Sequence, residues 1–371
     1  MLGKSFDQRL EWQLGAFYLR SYNPQYDGDA QTIFGVTTDT EGRTTSQSKA
    51  VFAQGTYDLS TLLPGLGITA GLRHTDDSSE LKVRGGPMRN RCCATITTEE
   101  SSAWTWTFGL DYQASDATLL YFASRRGYRP GGSNGIDATT LLLRPDFDPE
   151  YVSDFEVGIK SDWMLADIPI RTNAAVYYQD YSDAQVTTIY AATPDPFDVI
   201  TANAAAAEQW GAELEAQMQV TSSFQLGLSF DYLNFEYTGV GPLVDAAALE
   251  ITSKANRPPY KYGVNLRYDL PLPSPAGDVS LLANWSWQDE SGDRALEFGG
   301  LIPAFGLLNL AVNWKAVAGQ PLDLSLFASN MLNKVYRTGG DGYYDKYGFD
   351  LYRFGEPRMY GLRVRYGFGA R

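Results

Sequence analysis

The stretch "YGLRVRYGF", residues 360–368, decides the fold. Tyr360, Leu362, Val364, Tyr366 and Phe368 share one parity, and Gly361, Arg363, Arg365 and Gly367 share the other. Successive side chains of a strand point to opposite faces, so this segment is a ribbon with one greasy face and one cationic, glycine-spaced face. A helix would smear the same residues around its circumference. What remains open is which face meets water.

The pattern recurs along the chain. "YKYGVNLRYDL" sets Tyr260, Tyr262, Val264, Leu266 and Tyr268 against Lys261, Gly263, Asn265 and Arg267, and "WTWTFGLDY" sets Trp104, Trp106, Phe108, Leu110 and Tyr112 against Thr105, Thr107, Gly109 and Asp111. Fourteen such strands are expected, centred near residues 14, 54, 70, 107, 121, 157, 175, 213, 228, 265, 283, 311, 327 and 363, each of roughly 9 to 13 residues. Short connections such as "TLLPG", "QASDA" and "PLPSPAG" alternate with long ones near 22–47, 78–101, 127–150, 183–206, 238–258, 289–304 and 338–356. All the long loops therefore lie at one end. Soluble sandwiches use strands of ~5 to 6 residues and mix loop lengths, whereas long antiparallel strands with tight turns at one end describe a membrane barrel. The expected fold is all-β, an antiparallel up-and-down transmembrane barrel whose greasy face meets lipid. Trp285 and Trp287, beside Gln288 and Asp289, suit an interfacial girdle, and ordinary core aromatics are the plainer alternative.

Composition agrees with strands and limits function. Of 371 residues 24 are Tyr and 36 are Gly, which favours strands and turns over helices. No run of ~18 apolar residues encodes a transmembrane helix, which says nothing against membrane strands. A net charge of −14 argues against a nucleic-acid partner, which needs clustered cations. The N-terminal "MLGKSFDQRLEWQLGAF" shows no apolar signal region, so a cytosolic protein or a piece of a longer one is expected. Adjacent Cys92 and Cys93 form no disulfide framework and read as loop residues.

At several points the chain resembles the TonB-dependent outer-membrane receptors. "LLYFASRRGYRPGGSNG" is similar to a strand-and-loop segment of that family, and further fragments follow in order: "PEYVSDFEVGIKSDW" with Pro149, Glu150, Glu156, Gly158 and Lys160, "NRPPYKYGVNLRY", and "LFASNMLNKVYR" with Asn330, Leu332, Asn333, Lys334 and Tyr336. The last strand resembles the signal read by the barrel assembly machinery, carried here by Gly361, Val364, Tyr366 and Phe368, with "GAR" departing from the usual aromatic terminus. The resemblance implies residues 1–371 as the last part of a barrel of about twenty-two strands, with no plug, no TonB box and no signal peptide in the chain, and a fragment or truncated product is expected. It also implies a Gram-negative outer-membrane location among membrane lipid, TonB-dependent uptake of a scarce nutrient with iron–siderophore the leading class, and contact with the TonB system only through the plug. A passive, porin-like channel is the alternative, and a soluble all-β enzyme a weaker one.

Chemistry proper is sparse, and neither enzyme activity nor a cofactor is expected. The lone His74 sits at lipid-facing parity and reads as a substitute for an interfacial aromatic rather than a metal ligand. Glu213, Glu215 and Asp269 have lumen parity and are expected to be wall residues paired with Arg or Lys. The candidate ligand-binding residues are Arg129 and, in "GGDGYYDKYGFDLYRFGEP", Tyr343, Tyr344, Tyr347, Tyr352 and Arg353, because aromatic rings and guanidinium groups clamp bulky, anionic or chelated ligands at low entropic cost. A loop packed only on itself is the competing reading.

Overall fold

A computed structural model describes residues 1–25, 31–33, 36–87, 93–135, 143–189, 199–203, 206–244, 257–292, 301–342 and 348–369. The strands are β1 (Leu2–Ser5), β2 (Leu10–Gln25), β3 (Gln31–Ile33), β4 (Val36–Asp58), β5 (Leu66–Pro87), β6 (Cys93–Ser115), β7 (Thr118–Arg129), β8 (Glu150–Leu165), β9 (Ile168–Ser182), β10 (Gln185–Ile189) and β11 (Val199–Asn203). They continue as β12 (Ala206–Thr221), β13 (Phe224–Tyr237), β14 (Tyr260–Asp269), β15 (Asp278–Gln288), β16 (Ser291–Gly292), β17 (Leu301–Ile302), β18 (Phe305–Lys315), β19 (Leu322–Ser329), β20 (Arg337–Gly342), β21 (Asp350–Phe354) and β22 (Met359–Tyr366). One sheet runs β1-β2-β4-β5-β6-β7-β8-β9-β12-β13-β14-β15-β18-β19-β22, every neighbour antiparallel, with β3 added to β4. β10–β11, β16–β17 and β20–β21 are separate two-stranded ribbons within the long connections.

All fourteen expected centres fall inside strands of this sheet, and the chain winds up and down without a crossover. Short turns close by local chemistry. Ala166 and Asp167, at φ of 46° and 67°, join Leu165 to Ile168 as a two-residue turn whose twist matches the strands it connects.

Three expectations are corrected. Strands are not uniformly 9 to 13 residues: β4 and β6 have 23 and β22 has 8. The segments near 22–47 and 78–101 are therefore largely ladder rather than loop, with Thr44 opposite Leu81 and Glu80 opposite Thr98. There both faces carry Thr, Ser and charged residues, so the strands show no greasy parity to read. Cys93 likewise begins β6, while Cys92 lies outside the described residues. Finally, the sheet begins with a strand beyond the fourteen expected: β1 covers Leu10–Gln13, a pairing too short to show a period. β1 and β22 are the two edges of the sheet, and no pairing joins them among the described residues.

Candidate functional site: an inner wall and its upper clasp

Register assigns the faces. One row runs Tyr112–Leu120–Ile159–Ala174–Leu214–Phe230–Tyr262–Trp287 across eight strands; Leu120, Ile159, Leu214, Phe230 and Tyr262 are exposed, Leu214 at 47%, and the other three are half-buried. The opposite parity carries the polar groups and is the inner face. Outward Trp and Tyr are most numerous at two heights. Trp106, Tyr178, Trp210, Tyr232, Tyr260 and Trp287 each stand about eight to eleven residues along the strand from its short turn, a rise of ~20 to 28 Å at the usual tilt. Tyr57, Tyr112, Trp163, Tyr268, Trp314 and Tyr366 stand within about three residues of the short turns. Two girdles thus bound an apolar band of bilayer height, close to the ~25 Å expected of a membrane barrel. His74 belongs to the upper zone as expected, its ring 4.5 Å from that of Trp104.

The inner wall is polar and bonded to itself. Arg125 donates from Nε to both oxygens of Asp154, at 3.1 and 3.0 Å, and from Nη2 to Asp154 at 2.6 Å and Glu156 at 2.5 Å. The Tyr121 hydroxyl donates to the other Glu156 oxygen at 2.6 Å. Its ring covers Gly158, where a Cβ would collide with it, and Lys160 Nζ lies 5.6 Å from the ring centroid. Glu156, Gly158 and Lys160 therefore hold one tyrosine against the wall. Among the acids, Asp269 pairs with Arg267 at 2.9 Å as expected. Glu215 instead accepts from the Asn173 amide at 3.3 Å, and Glu213 faces Asp231 and Ala175 across its two neighbouring strands with no ion pair among the described residues, so the expected cation partners are absent there. Nearer the short turns the inner face encloses a cavity of 1190 Å³ whose lining includes Gln217 and the amide ladder Asn265–Asn284–Asn309.

Above the wall, the run "RPGGSNG" folds inward as a clasp. The Gly131 N–H donates to Ser101 Oγ at 3.1 Å and Thr97 Oγ1 to Ser133 Oγ at 2.9 Å, both on the inner face of β6. Gly132 bridges Phe147 in both directions, and a Cβ there would meet the Phe147 ring at 2.7 Å. Asn134 locks the other side, its Nδ2 donating to Pro145 and Thr201 carbonyls and its Oδ1 accepting the Thr201 N–H at 2.7 Å. Gln185 and Asn203, framing the β10–β11 ribbon, both donate to the Asp148 carbonyl. A cavity of about 400 Å³ lies beneath the clasp, lined by Ser46, Ser48, Asp77, Glu99, Ser101 and Ser133. Burial, and then a hydrogen bond shared with the Asp146 carboxyl, pushes Glu99 above the usual carboxylate range.

The described candidate ligand residues stand on two different sheets. Arg129 ends β7 opposite Glu150 in the main sheet, whereas Tyr352 and Arg353 stand on β21 in a separate ribbon, where the Arg337 guanidinium lies 3.8 Å from the Tyr352 ring centroid. Tyr343, Tyr344 and Tyr347 lie outside the described residues. Asn330 is also intramolecular: its amide donates to the Lys334 and Glu356 carbonyls, and its side-chain oxygen accepts the Lys334 N–H. Sequence reasoning missed the clasp partners Ser101, Asn134, Gln185 and Asn203. The only signal was the glycine pair of the motif.

The model of the family described as TonB-dependent receptor-like, beta-barrel, matches residues 2–333. The chain belongs to that family. Among solved structures it is similar to the ferric yersiniabactin uptake receptor FyuA of Yersinia pestis, with a TM-score of 0.76 at 17% identity over 99% of this chain and 53% of that one. It is similar also to the siderophore receptor PiuA of Acinetobacter baumannii, with a TM-score of 0.70 at 17% identity over 98% of this chain and 54% of that one. These likenesses are of fold. In sequence it is 25% identical over 149 residues, 40% of this chain and 18% of the relative, to the ferrichrome outer membrane transporter/phage receptor of Escherichia coli K12. The chain spans about half the length of the solved relatives. These relatives are receptors and transporters, not enzymes.

Proposed function

We propose that this chain forms the wall and upper vestibule of a Gram-negative outer-membrane receptor for TonB-dependent uptake of a scarce nutrient, an iron–siderophore complex being the leading class. The observation that carries the reading is the pairing of an aromatic-bounded apolar band outside with a clasped polar vestibule inside, on a sheet belonging to the TonB-dependent receptor family. In this reading all 371 residues belong to the barrel domain, and the plug that couples to TonB is not among them. Arg129, Tyr352 and Arg353 would bind ligand at the outer mouth with Tyr343, Tyr344 and Tyr347. Gly361, Val364 and Tyr366 on β22, with Phe368 just after it, would present the assembly signal for strand addition at an edge that carries no pairing among the described residues.

Uptake of radiolabelled ferric siderophores by cells expressing the intact receptor containing this chain tests the reading. Saturable uptake lost on deletion of TonB is expected. Unsaturable entry that persists without TonB would instead establish the passive channel.

A further inference from the structure

Three polar side chains on the outward face of β5 and β6 stand in hydrogen-bonding sequence. Ser102 Oγ lies 3.2 Å from His74 Nε2, and the other ring nitrogen, Nδ1, lies 3.6 Å from Asp76 Oδ2. Register brings them together from 28 positions apart: His74 stands opposite Trp104 and Asp76 opposite Ser102, in consecutive same-face pairs of one antiparallel ladder. The Trp104 ring, 4.5 Å from that of His74 and tilted 60° to it, walls one side of the imidazole. Lys49 stands opposite Asp76 on the other flank and makes no ion pair with it among the described residues, so the carboxylate is turned to the imidazole rather than to the ammonium.

Ser102 and Asp76 are exposed, and the His74 side chain, 26% exposed, is the most enclosed of the three. Beside the serine hydroxyl the sheet supplies a free donor. The Gln113 N–H donates to the Gly65 carbonyl, so the odd-numbered N–H groups of β6 face β5 and the even-numbered ones face the side of β7. The β6–β7 ladder stops at the Trp106–Arg126 pair, which leaves the N–H groups of Ser102 and Trp104 with no ladder partner among the described residues. A hydroxyl bonded to an imidazole whose other nitrogen faces a carboxylate is a nucleophile with its base and the group that orients the base, and the nucleophile's own N–H is a donor that can stabilise an oxyanion. Catalytic hydrogen bonds are commonly long before substrate binds, and the separations of 3.2 and 3.6 Å suit a resting site.

We infer that Ser102, His74 and Asp76 form an esterase site on the outside of the wall, and that its substrate is an acyl ester of an outer-leaflet lipid. The activity is additional to uptake, and its substrate class rests on the membrane placement of the proposed function. His74 and Trp104 stand about eight and eleven residues from the short-turn ends of their strands, within the upper girdle, and Ser102 stands two residues, ~5 Å, higher. That level is the boundary between chains and headgroups, where acyl ester carbonyls lie. His74 Nε2 takes the Ser102 proton as Oγ attacks the ester carbonyl, and the Ser102 N–H bonds the oxyanion. The alcohol leaves with that proton, and the acyl group stays on Oγ. Water, deprotonated by the same nitrogen, then releases the fatty acid and restores Ser102, so the net change is ester plus water to acid plus alcohol. Asp76 touches no reacting atom: it positions the imidazole and stabilises its protonated form.

Two measurements on the intact receptor containing this chain test the site. An alkyl fluorophosphonate should label Ser102, located by mass spectrometry of the digested protein, and H74F, which keeps a ring against Trp104, should abolish the labelling. Receptor in mixed micelles should release fatty acid from a diacyl phospholipid or from lipid A, the two arms showing which lipid supplies the ester, and should do so faster than it hydrolyses p-nitrophenyl acetate in water. S102A should lower fatty-acid release by about a hundredfold or more at an unchanged melting temperature. D76N should lower kcat by about tenfold or more with KM unchanged, and D76E should recover part of the loss, a split that a merely structural role would not produce. Hydrolysis of the soluble ester alone would overturn the lipid assignment. No label at Ser102, or fatty-acid release unchanged in S102A, in a receptor that still takes up ferric siderophore through TonB would overturn the inference and leave the receptor reading standing.

Discussion

Leu228 and Asn265 show how the same sheet makes two environments from adjacent registers. Leu228 faces outward, while Asn265 faces inward and accepts from the Asn284 amide at 2.8 Å. Leu228→Arg should therefore cost about 2 to 4 kcal/mol, read by refolding into lipid, and Asn265→Ala should cost about 1 kcal/mol. The reverse ranking would make the greasy face a dry core. Gly361 makes a related point, since a Cβ there would stand 2.7 Å from the Phe327 ring on β19. Gly361→Val should slow assembly and lower the melting temperature, and an accompanying Phe327→Ala should restore much of the loss. At this scale the sequence showed parity but not role: that Glu213 faces Asp231 follows from cross-strand register, which no single strand reveals.

Among the elements, the long hairpins and the clasp were the least legible. A strand with polar residues on both faces loses the alternation that announces it, so β4, β5 and β6 could be read only in their lower halves. Their ladder predicts slow amide exchange for residues 43–49, 75–82 and 97–103, and rapid exchange throughout those segments would mean that they are not paired. The clasp depends on residues 30 to 70 positions apart, such as Thr97 with Ser133 and Asn134 with Thr201, which composition cannot bring together. Its acidity can be tested. Glu99 holds its proton more tightly in the fold than in the unfolded chain, so the clasp gains stability at low pH and loses it as pH rises through and above the ordinary glutamate range. Exchange at residues 131–135 should be slower at pH 5 than at pH 7.5 after correction for intrinsic rates, and Glu99→Gln should remove most of the difference. Asn330 belongs here too: losing three side-chain bonds in Asn330→Ala should cost about 2 to 4 kcal/mol.

For the molecule as a whole, fourteen strands of the sheet, their order and the segregation of long connections were readable, because fourteen alternating segments with one-sided loop lengths fit few topologies, whereas the short β1 and β3 were not. The account stands on the outward face meeting lipid and the inward face meeting water. Site-directed spin labelling along β13, one position at a time from Gln225 to Asn234 in reconstituted receptor, reads this directly by comparing collisions with oxygen, which concentrates in hydrocarbon, and with a water-soluble nickel complex. The account predicts a period of two, with oxygen maxima at 226, 228, 230 and 232, nickel maxima at 225, 227, 229 and 231, and the two profiles out of phase. Profiles in phase, or even-numbered positions shielded from both reagents, would contradict it.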